Sequence, residues 1–282
     1  MSASVSPFID SRRIGDATIT VISEGILPWA PQLQVPETEW RRAMPEADEH
    51  GVVQFGLNLA HIQSGEASIL IDPGFDDPSP SHPETWPGLT RSPGLQAALR
   101  SLGIQPEQIT HVLITHTHAD HYMGVTVKRE GERVPRYPHA RHFVGRSDWE
   151  ENPQRDKPDS ELGAHLGTLT RLGLLECVDA EREVAAGVTM LSAPGESPGH
   201  CIVRVQSAGE TFYYLGDLFH HACEIVHPDW APLGRDPSVL LASRQRLIAE
   251  AIASHATCVF THELFPAWGC IVAAEGGYRW ER

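Results

Sequence analysis

No pair of cysteines in this chain has CxxC spacing, and the five present, Cys177, Cys201, Cys223, Cys258 and Cys270, are an odd and scattered set. That excludes a zinc ribbon and argues against a disulfide framework. Basic residues are also scarce: 22 Lys and Arg stand against 37 Asp and Glu, a formal charge of -15, with no basic run. A nucleic-acid partner, whose phosphates are held through Lys and Arg, is therefore not expected. No apolar stretch approaches the length of a membrane span, and residues 1–15 lack the hydrophobic segment of a signal peptide. The expectation is a cytoplasmic protein without a membrane partner. The remaining composition is ordinary for a globular protein, 41% hydrophobic and 21% charged over 282 residues. Such a chain can bury a sizeable core, and it reads as one domain over residues 1–282.

Hydrophobic periodicity predicts strands at residues 17–23, 54–63 and 67–72, an antiparallel opening. Leu95, Leu99 and Leu102 predict a helix over 94–102, and 111–115 is a short apolar strand running into a dense group of histidines. A second half repeats the rhythm, with strands at 141–145, 189–192, 201–206, 211–215 and 258–260. Helices are predicted over 159–172 and 238–254, the latter with Leu241, Ile248 and Ile252 on one face and Pro237 just ahead of it. The pattern predicts an αββα sandwich, two mixed sheets with outer helices. The proline-rich stretches 73–93 and 152–158 read as long surface loops of the kind that border active sites.

Chemistry concentrates at strand ends. Thr115-His116-Thr117-His118-Ala119-Asp120-His121 directly follows an apolar strand and offers four ligand-type side chains in one short segment. Imidazole and carboxylate together suit zinc and other first-row divalent ions, and a His-x-His alternation turns two rings to one side of an extended segment. Further candidates follow the same grammar: His200 after Ser197-Pro198-Gly199, Asp217 after Leu215-Gly216, and His262 after Phe260-Thr261. A glycine beside His200 and another beside Asp217 would allow close backbone approach. There are 16 histidines, so any one of them alone would say little. The ordered set is what carries the reading. His220, His221 and His227 are read mainly as surface or supporting residues.

These motifs resemble the metallo-β-lactamase superfamily, whose His-x-His-x-Asp-His is followed far along the chain by a His, an Asp and a last His. The resemblance covers most of the chain, from the strand around Asn58 to the strand after His262. It implies that His116, His118 and His200 hold one metal, that Asp120, His121 and His262 hold the other, and that Asp217 bridges them. Asp72, in Ile71-Asp72-Pro73-Gly74, matches a family position behind the metal-binding loop. Since zinc β-lactamases generally lack a bridging carboxylate, Asp217 argues against that activity. The segments 193–200, 216–221, 227–230 and 277–280 look like the branch of methyl parathion hydrolase-like and lactonase-like enzymes. Two departures leave specificity open: Tyr122-Met123-Gly124 stands where many relatives have paired glycines, and no tyrosine directly follows Asp217.

Two divalent ions, zinc by expectation, share and acidify a water so that a bridging hydroxide attacks an ester while one ion polarises it. Asp120 is the expected catalytic residue, moving a proton from nucleophile to leaving group. The expected substrate is a small neutral ester, a lactone or an organophosphate triester. The alternatives are a single-iron persulfide dioxygenase and a thioesterase of glyoxalase II type. A homodimer is allowed. Trp29, Phe219, Trp230, Phe265 and Trp268 are pocket candidates, with core packing the better expectation for any one of them.

Overall fold

The computed structural model describes residues 7–75 and 86–282. Part of the loop expected at 73–93 lies outside them. Strands β1 (Ile9–Ile14), β2 (Ala17–Trp29), β3 (Val53–Ser64) and β4 (Ala67–Ile71) form the antiparallel opening, with a short helix α1 (Glu37–Ala43) before β3. The two-residue β5 (Thr90–Arg91) pairs with β2, and helix α2 (Gly94–Ser101) follows. Then β6 (His111–Ile114) lies parallel to β4 and is succeeded by α3 (Ala119–Tyr122) and a hairpin of β7 (Thr126–Arg129) and β8 (Glu132–Pro135). Strand β9 (Arg141–Gly145), helices α4 (Arg146–Glu150) and α5 (Glu161–Arg171), and strand β10 (Leu175–Val178) complete the first sheet, all its later pairings parallel.

The second sheet runs β11 (Glu181–Ala185), β12 (Val188–Ser192), β13 (Cys201–Ser207) and β14 (Glu210–Tyr214), antiparallel throughout. Helices α6 (Cys223–Val226) and α7 (Pro237–Ala253) then lead to β15 (Thr257–Val259), parallel to β14. A hairpin of β16 (Cys270–Ala274) and β17 (Gly277–Glu281) ends the fold.

Alternation along the strands explains the layering. Ile69, Ile71 and Leu113 point inward to meet Val203, Val205, Phe212 and Val259 of the second sheet. Their neighbours Leu70, Val112 and Ile114 point outward and are covered by Leu95, Leu99, Leu162 and Leu166 of α2 and α5. Strands buried on both faces read as continuous apolar runs, and β4 and β6 are such runs. Helix α7 covers the outer face of the second sheet through Leu240, Leu247, Ile248 and Ala251. The expected stripe was slightly rotated: Leu241 and Ile252 sit half-buried at its margins. Pro237 is the first residue of α7, and Asp236 caps it by accepting from the Ser238 and Val239 amides.

His61 lies on β3 in the core, hydrogen-bonded to Ser68 at 2.8 Å. Burial holds its imidazole down to about 4. A histidine that stays neutral in the fold and protonates when unfolded gives stability that is whole above pH 6.5 and lost as pH falls through about 4. Denaturant titrations should therefore lose about 2–3 kcal/mol from this group between pH 7 and pH 4. His61→Gln, which keeps a partner for Ser68, should flatten that slope and leave the chemistry described below intact. An unchanged slope would remove His61 from the account.

Candidate metal centre

The residues singled out in sequence emerge at one edge of the sandwich. Ile114 ends β6, and the following turn and α3 carry His116, His118, Asp120 and His121. Asp217 lies just beyond β14, and His262 just beyond β15. The connection between β12 and β13 supplies Glu196 and His200.

Two groups of ligand atoms converge there. One atom each from His116, His118, Glu196 and Asp217 lies within 4.8 Å of the others, and so does one each from Asp120, His121 and His262. Asp217 stands between the groups: its Oδ2 is 3.5 Å from His116 Nε2, 3.3 Å from His121 Nε2 and 3.0 Å from His262 Nε2. Asp120 Oδ2 is 3.5 Å from His121 Nε2 and 3.9 Å from His262 Nε2. The centre is almost wholly buried, except for the His118 side chain, 45% exposed.

The ring orientations are set from behind. Asp72 Oδ1 accepts the Thr115 amide at 2.7 Å, while Oδ2 takes the Thr115 hydroxyl and His121 Nδ1, each at 2.8 Å. His121 Nδ1 thus donates away from the centre, leaving Nε2 directed into it. His262 Nδ1 donates to the Gly56 carbonyl at 3.0 Å, with the same result. Asn58 secures that segment by donating to the carbonyls of Thr261 and Glu263. Such outer hydrogen bonds fix tautomer and aim, as a metal ligand requires.

Asp148, which sequence reasoning passed over, ties the two loops together. It accepts from the Thr117 amide at 3.1 Å, the Ser197 hydroxyl at 2.7 Å and the Gly199 amide at 2.6 Å. Gly216 is required by position: at φ +53°, an added Cβ would lie 2.8 Å from His200 Nε2 and 2.9 Å from Thr115 Cβ. The other half of the site rests on Arg244 of α7, fully buried, which bonds the Leu218 carbonyl and Glu224 at 2.8 Å each.

His200 is the one expected ligand that the structure does not bring into either group. Its ring lies 5.2 Å from that of His116, tilted by 48°; Nδ1 donates to Ala193 O at 3.1 Å, and Nε2 lies 3.1 Å from the Asp217 amide, which donates to it in this ion-free structure. Glu196, four residues earlier, lies in the first group. His220 was read as mainly supporting, and it lies buried against the centre, its ring parallel to that of His262 at 5.5 Å. His221 instead pairs with Glu46, and His227 stacks on Trp230.

Electrostatics fit this donor set to cations. Burial by itself would raise the Asp217 carboxyl, but the imidazoles of His262, His121 and His116 overturn that and hold it well below its usual range. Burial would likewise lower His121, yet Asp217, Asp120 and Asp72 drive it well above. The centre thus draws positive charge inward. His121 Nε2 and Asp217 Oδ1 are buried without a hydrogen-bond partner. A divalent ion would satisfy both, so the residues present fit a metal centre.

A cleft of about 450 Å³ opens over the centre. Its walls include Leu27, Trp29, Phe55, Trp86 and Leu233, with Asp120, Asp217 and His262 at the floor. Of the aromatics considered from sequence, Trp29 lines the cleft, while Phe219, Trp230 and Trp268 are buried in the core and Phe265 packs against it. Phe55, unremarked in sequence, stacks on His262 at 4.7 Å.

Comparison with known proteins agrees with this geometry. A family model described as the metallo-beta-lactamase superfamily matches residues 58–262. An N-acyl homoserine lactonase of Bacillus cereus is 22% identical over 225 residues, spanning 76% of this chain and 84% of the lactonase. Among solved structures, the hydrolase AbOPH of the beta lactamase superfamily superposes with a TM-score of 0.80 at 22% identity, over 99% of this chain and 98% of its own. AidC, a dizinc quorum-quenching lactonase solved in complex with a product, gives 0.76 at 21% identity, over 97% and 96%. At these identities the structural likeness speaks for the fold.

Proposed function

The chain belongs to the metallo-beta-lactamase superfamily, and from that premise we propose that it is a dinuclear metal-dependent hydrolase of small neutral esters, lactones first and organophosphate triesters second. The observation that carries the reading is the cleft: a largely apolar wall standing directly over two convergent ligand groups. His116, His118, His200 and Asp217 would hold one ion, and Asp120, His121, His262 and again Asp217 the other. Two divalent ions, zinc in the first instance, would supply Lewis-acid polarisation of the ester oxygen and an acidified water for attack.

The protein's own groups do the rest. Leu27, Trp29, Phe55, Trp86 and Leu233 take up the apolar part of the substrate and exclude bulk water from the floor. Asp120 lies at the floor of the cleft with an oxygen near both His121 and His262, placed to accept a proton there and return it to a departing alkoxide. The relatives named as lactonases support a lactone as first choice.

Among the described residues, the cleft's one guanidinium, Arg235, is already bound to Glu196, which withdraws it as a counter-charge for an anionic substrate handle. That counts against a thioesterase acting on a glutathione-like carboxylate. The inward aim of Asp120, His121 and His262 counts against a single-iron dioxygenase, which would have no use for that second group.

The test is proton release under weak buffering, by protein loaded with zinc and protein stripped by chelator, against a panel of neutral lactones and a phosphotriester. Metal-dependent acid release with the lactones is expected. Silence across the whole panel would overturn the reading.

A further inference from the structure

Beside the metal cleft lies a larger cavity, about 730 Å³, that the reading above leaves unused. The two share His118, Glu196 and Arg235, so they meet at the edge of the first ligand group. The walls of this chamber come from α4 and the turn after it, from the connection between β12 and β13, and from the start of α7. Asn152 and Pro153, which open the proline-rich stretch expected from sequence to border the site, both line it. The walls are tied to one another. Asp148 of α4 holds Thr117, Ser197 and Gly199. Ser243 of α7 donates its hydroxyl to the Pro194 carbonyl at 2.6 Å, and a Cβ added to Gly195 would lie 2.4 Å from Leu240 Cα. A cavity braced in this way is formed before a ligand arrives.

Its chemistry differs from that of the cleft. Where the cleft presents Leu27, Trp29 and Phe55, the chamber presents hydroxyls and an amide. Among the described residues, the Thr117 and Ser147 hydroxyls and the Asn152 amide nitrogen have no protein partner. Arg235 adds a spare donor at the junction, because Nε and Nη2 donate to Glu196 while Nη1 is uncommitted. Charge disfavours ions of either sign. Asp148, Glu151, Glu196 and Asp236 repel an anion. A cation would find three of these already engaged, Asp148 by its loop donors, Glu196 by Arg235 and Asp236 by the α7 amides, which leaves the exposed Glu151. The fitting occupant is uncharged and rich in hydrogen-bonding groups.

We propose that the chamber is a second substrate subsite. The ester then has two arms: an apolar one under Trp29 and Phe55, and an uncharged one bearing hydroxyl or amide groups among Thr117, Ser147 and Asn152, with the scissile bond between them. This deepens the hydrolase reading above and rests on it. Arg235 Nη1 and the Asn152 amide donate to oxygens of the polar arm, and the two hydroxyls donate or accept as it requires. These contacts lie away from the reacting atoms and act alike on bound ester and transition state, so they lower KM and leave kcat nearly alone.

The test uses zinc-loaded, full-length protein and lactones that share one apolar substituent and differ in a second of constant length: alkyl, hydroxyl- or amide-bearing, carboxylate or ammonium. The hydroxyl or amide arm should raise kcat/KM over the alkyl arm by about tenfold, the worth of two neutral hydrogen bonds. Ser147→Ala should shrink that ratio about threefold, the worth of one such bond, and so should Asn152→Asp, which keeps an acceptor for the Gln154 amide. A ratio taken within one protein is unmoved by partial folding or partial metal loading. Lactams carrying the same arms, which are not cleaved, should bind chelator-stripped protein with the same tenfold preference, read by calorimetry. Equal kcat/KM for all arms, or preference for a charged arm, would overturn the subsite and leave the hydrolase standing. No metal-dependent hydrolysis of any lactone would overturn both.

Discussion

Asp217→Ala is expected to strip the centre and reduce ester hydrolysis by at least 1,000-fold, because one carboxylate serves both ligand groups. Its Oδ2 lies within 3.5 Å of ring nitrogens of His116, His121 and His262, drawn from two different sheets. Removing it leaves those imidazoles without their shared acidic neighbour. Bound metal after dialysis should fall below two ions per chain, and excess metal should restore little activity. His118→Ala should give the same pair of losses. A variant of either kind with two ions and near wild-type turnover would sink the assignment of this centre.

Asp120→Asn should separate binding from chemistry. The amide keeps the shape and one oxygen near His121 and His262, so both ions should stay bound, the second more weakly. What it loses is the ability to take up and return a proton, a function worth roughly 100- to 10,000-fold in rate. Turnover at saturating metal should fall by that amount, most steeply for esters with poor leaving groups, since an activated leaving group needs no proton. Equal losses across leaving groups would assign Asp120 to metal binding alone.

Much of this was legible because the signals are local. The six residues from His116 to His121 lie in one turn, so their residue types and spacing already place them together. Strand β9 falls at the predicted residues, and β4 and β6 shift by a single residue at one end. The approach of Glu196 to His118 was not legible. The course of the 193–200 turn, which sets that approach, depends on contacts from elsewhere. Gly195, at φ +134°, packs on Leu240 of α7, while Asp148 of α4 draws in Ser197 and Gly199. Neither contact leaves a periodic trace. Strand β1, Ile-Asp-Ser-Arg-Arg-Ile, escaped notice for a different reason: an edge strand with exposed charges shows no alternation. Arg244 sits in the buried face of α7 because Glu224, 20 residues away, neutralises it.

The candidate ligands come from both halves of the sandwich: His116, His118, Asp120 and His121 follow a strand of the first sheet, and His200, Asp217 and His262 adjoin strands of the second. An ion shared among them is a rivet between two layers otherwise joined mainly by apolar contact. Metal concentration and resistance to heat are thereby coupled, since every ion taken up must be released before the layers can part. In a cell short of divalent metal, the first sign would be a shorter lifetime of the folded chain as well as slower turnover.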